Sequence, residues 1–105
     1  MKITSDELRL KMKNGDKFIV DMYAEWCGPC RIMGTIVEKY SDKLKSENSE
    51  VSIYKFDIEE GRELAAELGI RSIPTIKGFS GGKEVISRSG VLQEPQLDEL
   101  KEALL

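Results

Sequence analysis

The run Phe18–Ala24, FIVDMYA, is apolar at every position except Asp21. It is too short for an ordinary helix and reads as a strand buried on both faces, a pattern found in sheets with helices packed on either side. After it, Ile32, Ile36, Tyr40 and Leu44 recur every four residues, with Met33 and Val37 beside them. That spacing is the apolar stripe of a long helix, which the pattern starts near Cys27. Val51–Ile58 is rich in β-branched and aromatic residues and predicts a second central strand.

Shorter signals supply the remaining elements. Thr4 and Glu7 have capping-box spacing, with Ile3 and Leu8 at the two staple positions, so a first helix begins there and ends at Asn14-Gly15. Glu60–Leu68, closed by Gly69, predicts a short helix. Thr75–Phe79 and Lys83–Arg88, joined by Ser80-Gly81-Gly82, predict a β-hairpin. In the last helix Pro95 takes the first helical position, and Leu97, Leu100 and Leu104 line one face. The expected architecture is an α/β three-layer sandwich, with parallel strands joined by helices and an antiparallel hairpin at one edge. No repeat, low-complexity stretch or linker interrupts residues 1–105, which are expected to form a single domain.

Composition narrows the function. A chain of 105 residues with 40% hydrophobic content buries roughly 65% of its unfolded surface and needs no staples to fold. Its only two cysteines therefore call for another explanation. Sixteen Lys and Arg against 19 Asp and Glu give a net charge of -3, with the signs interleaved, and no basic footprint points to nucleic acid. No apolar stretch reaches signal-peptide or membrane-spanning length, so the expected setting is cytoplasmic. In a reducing compartment a close cysteine pair is catalytic or metal-binding more often than a permanent cross-link.

Cys27 and Cys30 stand three positions apart. At a helix start, their Cα atoms would lie about 5 Å apart, within disulfide range. The placement makes them unequal: unpaired N–H groups and the helix dipole favour a thiolate at Cys27, whereas Cys30 lies a turn deeper. Pro29 is tolerated in a first turn and stiffens the ring that a disulfide would close. Arg31 favours a thiolate and Glu25 opposes one. A zinc or iron-sulfur site wants four N or S ligands, and the chain offers two cysteines and no histidine. A purely structural disulfide over so short a loop would remove little chain entropy. A redox couple is the favoured reading.

An ionised carboxylate alone in a dry strand costs several kcal/mol, so Asp21 is expected to be neutral near pH 7 or to have a partner, for which Lys55 is the nearest candidate. Two readings stand at this level. Asp21 could exchange a proton with the cysteine pair, or it could sit on an edge strand and point to water.

The heptapeptide AEWCGPC, Ala24–Cys30, resembles the active site of the thioredoxin family. FIVDMYAEWCGPCRIM, VSIYKFDIEE, LGIRSIPTI and SGGKEVISRSGV extend the resemblance along nearly the whole chain. It implies the thioredoxin fold, a central mixed sheet flanked by about four helices. It further implies a protein-disulfide reductase, with Cys27 as nucleophile and Cys30 as resolving cysteine. Asp21 is similar to the family's buried aspartate, which assists deprotonation of the resolving cysteine, and Lys55 to the lysine near it. Pro74 matches the family's cis-proline, and the backbone of Ile73 would pair with the substrate chain. Trp26, Gly28, Pro29, Ile73, Pro74, Gly90 and Val91 would form a shallow apolar groove around Cys27. The implied partners are disulfide-containing proteins and a thioredoxin reductase-type electron donor, with no nucleic acid, membrane, metal or cofactor. The chain would act as a monomer in cell redox homeostasis.

Three positions depart from the family pattern. Tyr23 replaces a second tryptophan, a change expected to bear on packing and fluorescence more than on chemistry. Gly34-Thr35 replaces the proline that kinks the long helix, so no kink is expected. Thr75-Ile76-Lys77-Gly78-Phe79 is more similar to protein disulfide isomerase domains, whereas Gly28-Pro29 between the cysteines is the reductant's pairing. An oxidant or isomerase, and a binding subunit that holds a partner without turnover, remain the alternatives.

Overall fold

A computed structural model describes residues Met1–Leu105. In chain order the elements are α1 (Ser5–Asn14), β1 (Phe18–Tyr23), α2 (Gly28–Ser46), β2 (Ser52–Asp57), α3 (Arg62–Glu67), β3 (Thr75–Ser80), β4 (Lys83–Ser89) and α4 (Glu94–Leu104). The four strands form one mixed sheet in the order β2-β1-β3-β4. β1 runs parallel to β2 and antiparallel to β3, and β3 and β4 form the expected hairpin.

Alternation along β1 explains how helices come to cover both faces. Ile19 points to the side packed by Met33, Val37, Tyr40 and Leu44 of α2 and by Leu97, Leu100 and Leu104 of α4. Phe18, Val20 and Met22 point the other way, against Leu8 of α1 and Leu64 and Ala65 of α3. Every residue of β1 is buried, as the unbroken apolar run requires. At about 1.5–3 kcal/mol for each large side chain removed from water, these two layers supply most of the drive to fold.

The capping box forms as read: the Glu7 N–H donates to Thr4 Oγ1 at 3.2 Å, and the Thr4 N–H donates to Glu7 Oε1 at 2.9 Å. Ile3 and Leu8 meet in the core beneath it. Residues Gly81 and Gly82 both have positive φ, 62° and 81°. That geometry belongs to the tight two-residue turn whose twist matches the hairpin strands.

Two details differ from expectation. β2 is not central: it is the sheet's outer strand, and its far side is met by an isolated parallel bridge between Lys2 and Lys55. The Ile3 N–H donates to the Lys55 carbonyl at 2.8 Å, and the Lys55 N–H donates to the Met1 carbonyl at 2.9 Å. The amino-terminal segment thus buries an edge strand enough for its sequence to look internal. Glu94, not Pro95, opens α4, and the proline stands one place further into the first turn, where its missing N–H still costs nothing. α2 runs without interruption through Gly34 and Thr35.

Candidate active site

The site forms where β1 ends and α2 begins. After Tyr23 the chain turns, and the Cys27 N–H donates to the Ala24 carbonyl at 3.2 Å. Cys27 then occupies the N-cap of α2 in extended conformation, with Pro29 in the first turn. Its sulfur accepts from the Cys30 main-chain N–H at 3.2 Å, so it takes up one of the donors that a helix start leaves unpaired. The two cysteines are joined as a disulfide with Cα atoms 5.2 Å apart. The pair is recessed rather than open, Cys27 being 5% exposed and Cys30 2%. Arg31 does not reach over the sulfurs; its guanidinium donates to the Glu25 carbonyl at 3.4 Å.

Asp21 lies on β1 in register with Lys55 of β2 and Ile76 of β3. It is completely buried, and neither carboxylate oxygen has a hydrogen-bond partner. The edge-strand reading is therefore overturned: β1 has a neighbour on each side, and Asp21 cannot point to water. Burial raises its pKa from 3.8 to about 7, and the positive charge of Lys55 pulls in the opposite direction without cancelling the rise.

Lys55 is not hydrogen-bonded to Asp21. Its ammonium lies over the ring of Tyr23, 4.7 Å from the centroid. It also rests against Gly34 of α2, where a Cβ would come within 3.1 Å of Nζ. Tyr23 thus does more than pack, since its ring face attracts and fixes the one cation near Asp21. A cleft of about 50 Å³ lined by Tyr23, Ala24, Glu25, Cys30, Arg31 and Lys55 joins Cys30 to this lysine. A larger cleft, about 330 Å³, lies elsewhere, between the carboxyl-terminal half of α2 and the start of β2. It contains neither cysteine.

The rim is brought together from three stretches. Trp26 is 66% exposed, and Gly28 and Pro29 are exposed beside it. Ile73 packs on the cluster of Tyr23, Ala24, Cys27 and Cys30. The Ile73–Pro74 peptide bond is cis. The Pro74 carbonyl accepts from the Gly90 N–H at 2.9 Å, which brings the Gly90-Val91 segment to the same edge. Sequence reasoning missed the roles of Tyr23 and Gly34 in seating Lys55, because contacts made across the sheet and onto a helix leave no periodic signal. It also counted Met33 only as part of an apolar stripe.

A disulfide at a helix N-terminus, with a buried carboxyl group of raised pKa on the strand that leads into it, is the arrangement of a thiol-disulfide oxidoreductase. Residues 1–103 match the family described as Thioredoxin, and the chain belongs to that family. It is 37% identical to the thioredoxin of Mycoplasmoides gallisepticum over 94 residues, covering 90% of each chain. To the thioredoxin of Rickettsia bellii it is 38% identical over 88 residues, covering 84% of this chain and 81% of that one. The match to the probable thioredoxin-2 of Caenorhabditis elegans, at 38% identity over 83% of this chain, spans 58% of that longer protein. Among solved structures, Plasmodium falciparum thioredoxin superposes with a TM-score of 0.84 at 28% identity, with full coverage of both chains. The thioredoxin of Malassezia sympodialis gives 0.83 at 27% identity, covering 97% of this chain and 89% of that one. These relatives, together with the Cys27–Cys30 pair, make the chain a protein-disulfide reductase of the thioredoxin type.

Proposed function

We propose that Cys27 is the attacking sulfur and Cys30 the resolving one. The Cys27 thiolate attacks one sulfur of a substrate disulfide; a Cys27–substrate S–S bond forms, the substrate's own S–S bond breaks, and its second sulfur leaves as a thiolate. Cys30 loses its proton and attacks the Cys27 sulfur, expelling the first substrate sulfur. Two electrons have then passed to the substrate, and the pair is left as the intramolecular disulfide. The observation that carries this order is the Cys30 N–H directed at the Cys27 sulfur at the helix N-cap, a donor that stabilises negative charge on Cys27 alone.

Asp21 serves as the proton acceptor for Cys30. A carboxyl group with a pKa of about 7 can take and return a proton at neutral pH, which an ordinary surface aspartate cannot do. Lys55, held on Tyr23 beside the cleft that reaches Cys30, balances the charge that develops. Trp26, Gly28, Pro29, Ile73, Pro74, Gly90 and Val91 form the groove in which a substrate segment lies, with the backbone of Ile73 pairing to it.

The chain works as a monomer in the cytoplasm, where a thioredoxin reductase-type donor returns the pair to the dithiol and the cycle maintains redox homeostasis. Support for that setting comes from the use of its only cysteines as an exchangeable pair. No helix is long and apolar enough to cross a membrane.

Cys27→Ser is expected to abolish turnover, and Cys30→Ser to accumulate mixed disulfides visible on non-reducing gels; normal turnover in Cys27→Ser would end the mechanism. The reduction potential, from equilibration against dithiothreitol and glutathione buffers, tests the direction of electron flow. The expected value is about -270 mV, that of a thioredoxin-type reductant. A potential nearer roughly -180 mV would make the protein an oxidant or isomerase instead.

A further inference from the structure

Leu92 lies in the coil between β4 and α4, with its side chain buried among α2 and α4. A buried main-chain N–H needs an acceptor, and here no carbonyl supplies one. The Leu92 N–H donates to the thioether sulfur of Met33, 3.2 Å away. Thioethers are weak acceptors, so an amide that relies on one depends on where that side chain stands. Met33 is fully buried on α2, three residues beyond Cys30 and therefore on the same side of the helix.

Two residues earlier, the Gly90 N–H donates to the Pro74 carbonyl at 2.9 Å. The short segment Gly90–Leu92 is thus tied at its start to the loop that carries Ile73 and Pro74, and at its end to the helix that carries the cysteines. Val91 lies between the two ties.

We infer that Met33 is a positioning residue for substrate docking: its sulfur holds the Gly90–Leu92 segment against α2, so that Val91 meets an incoming chain at a fixed place relative to Cys27. The inference rests on the reading of Val91 as part of the groove. A leucine at position 33 would fill the same core volume, so what distinguishes methionine here is the acceptor and not the packing.

The test is Met33→Leu, with Val91→Glu as a separate probe of the groove and the wild-type chain as reference. Each is assayed with dithiothreitol as electron source, against a protein disulfide (insulin) and against a small one (hydroxyethyl disulfide) that needs no groove. Met33→Leu should raise KM for insulin about three- to fivefold, the equivalent of one modest hydrogen bond, with kcat unchanged. The small-disulfide rate should stay the same, and hydrogen exchange at the Leu92 amide should accelerate. A merely structural role would instead lower stability and leave the KM-to-kcat split and the ratio of the two substrates unmoved. Unchanged KM for insulin in Met33→Leu, or equal loss on both substrates, overturns the inference. If KM is then raised in Val91→Glu, the groove stands without Met33; if it is unchanged in both variants, the groove reading falls as well.

Discussion

Asp21 and Lys77 are both buried charges in adjacent strands, one register step apart, and the molecule treats them in opposite ways. Lys77 points toward the α1 and α3 side, where its ammonium donates to Glu84 Oε1 at 2.7 Å and to Ser87 Oγ at 3.3 Å. Asp21 points toward the α2 and α4 side and has no partner for either oxygen. A buried charge that only has to be tolerated is paired, because the partner's opposite charge and hydrogen bonds offset the cost of taking it out of water. One left unpaired has its charged and neutral forms brought close in energy near pH 7, and that is useful only where a proton must move. The same contrast accounts for Lys77 and Gly78 within the strand TIKGF. The lysine has its own ion pair, and the glycine leaves room for Ile86 and Leu104, since a Cβ there would come within 2.9 Å and 3.2 Å of them.

The largest expected effect comes from removing the unpaired charge. In the unfolded chain Asp21 ionises near 3.8, in the folded chain near 7, so between these values the folded state holds a proton that the unfolded state has lost. Stability is then complete below about pH 4 with respect to this group, falls as pH rises through the window, and is lowest above 7. The full difference is about 4 kcal/mol at 1.36 kcal/mol per pH unit. Asp21→Asn should abolish this slope and unfold in urea at a higher midpoint than wild type at pH 8, while resolving mixed disulfides more slowly. A wild-type stability flat between pH 4 and 8 would break the comparison, since Asp21 would then be ionised at no cost.

Removing the partner of the paired charge should have the next largest effect and the opposite sign. Glu84→Ala leaves an ammonium that is 8% exposed without its carboxylate, and the expected loss is about 2–3 kcal/mol by denaturant titration. The double variant Lys77→Met, Glu84→Ala should recover most of it with activity intact. A single variant as stable as wild type would show that Lys77 reaches water without its partner. The smallest effect is expected from Lys55→Met. Loss of the cation that lowers the Asp21 pKa should move the midpoint of the stability-pH slope upward, in the range above 7. A midpoint that moved down would mean that Lys55 contributes burial rather than charge.

The elements themselves were legible because apolar periodicity, the capping box and the glycine turn are local. Strand order was not: nothing in Val51–Ile58 tells an inner strand from an outer one whose edge is covered by Met1–Ile3. The partnership of Lys77 was hidden for a related reason. Counting back from a two-residue turn places Lys77 opposite Ile86, but a bulge between Gly78 and Phe79 shifts the register and sets it opposite Ser87. In the site, the cysteines, Asp21 and Pro74 could be read from a continuous motif and its resemblance. The seat of Lys55 on Tyr23 and Gly34 and the bond from Leu92 to Met33 depend on tertiary contacts that no spacing encodes.

The covered edge of β2 also bears on how the protein behaves at high concentration. An outer strand with free N–H and C=O groups is a template on which another chain can add, and hence a route to filaments. On one side of this sheet the chain's own amino-terminal backbone occupies that template at Lys55. On the other, β4 carries Lys83, Glu84 and Arg88 and is interrupted by the bulge that leaves Val85 48% exposed. One border is closed at Lys55 by pairing and the other is guarded by charge and distortion, so neither edge of the sheet offers a long, flat strand on which copies of the chain can grow.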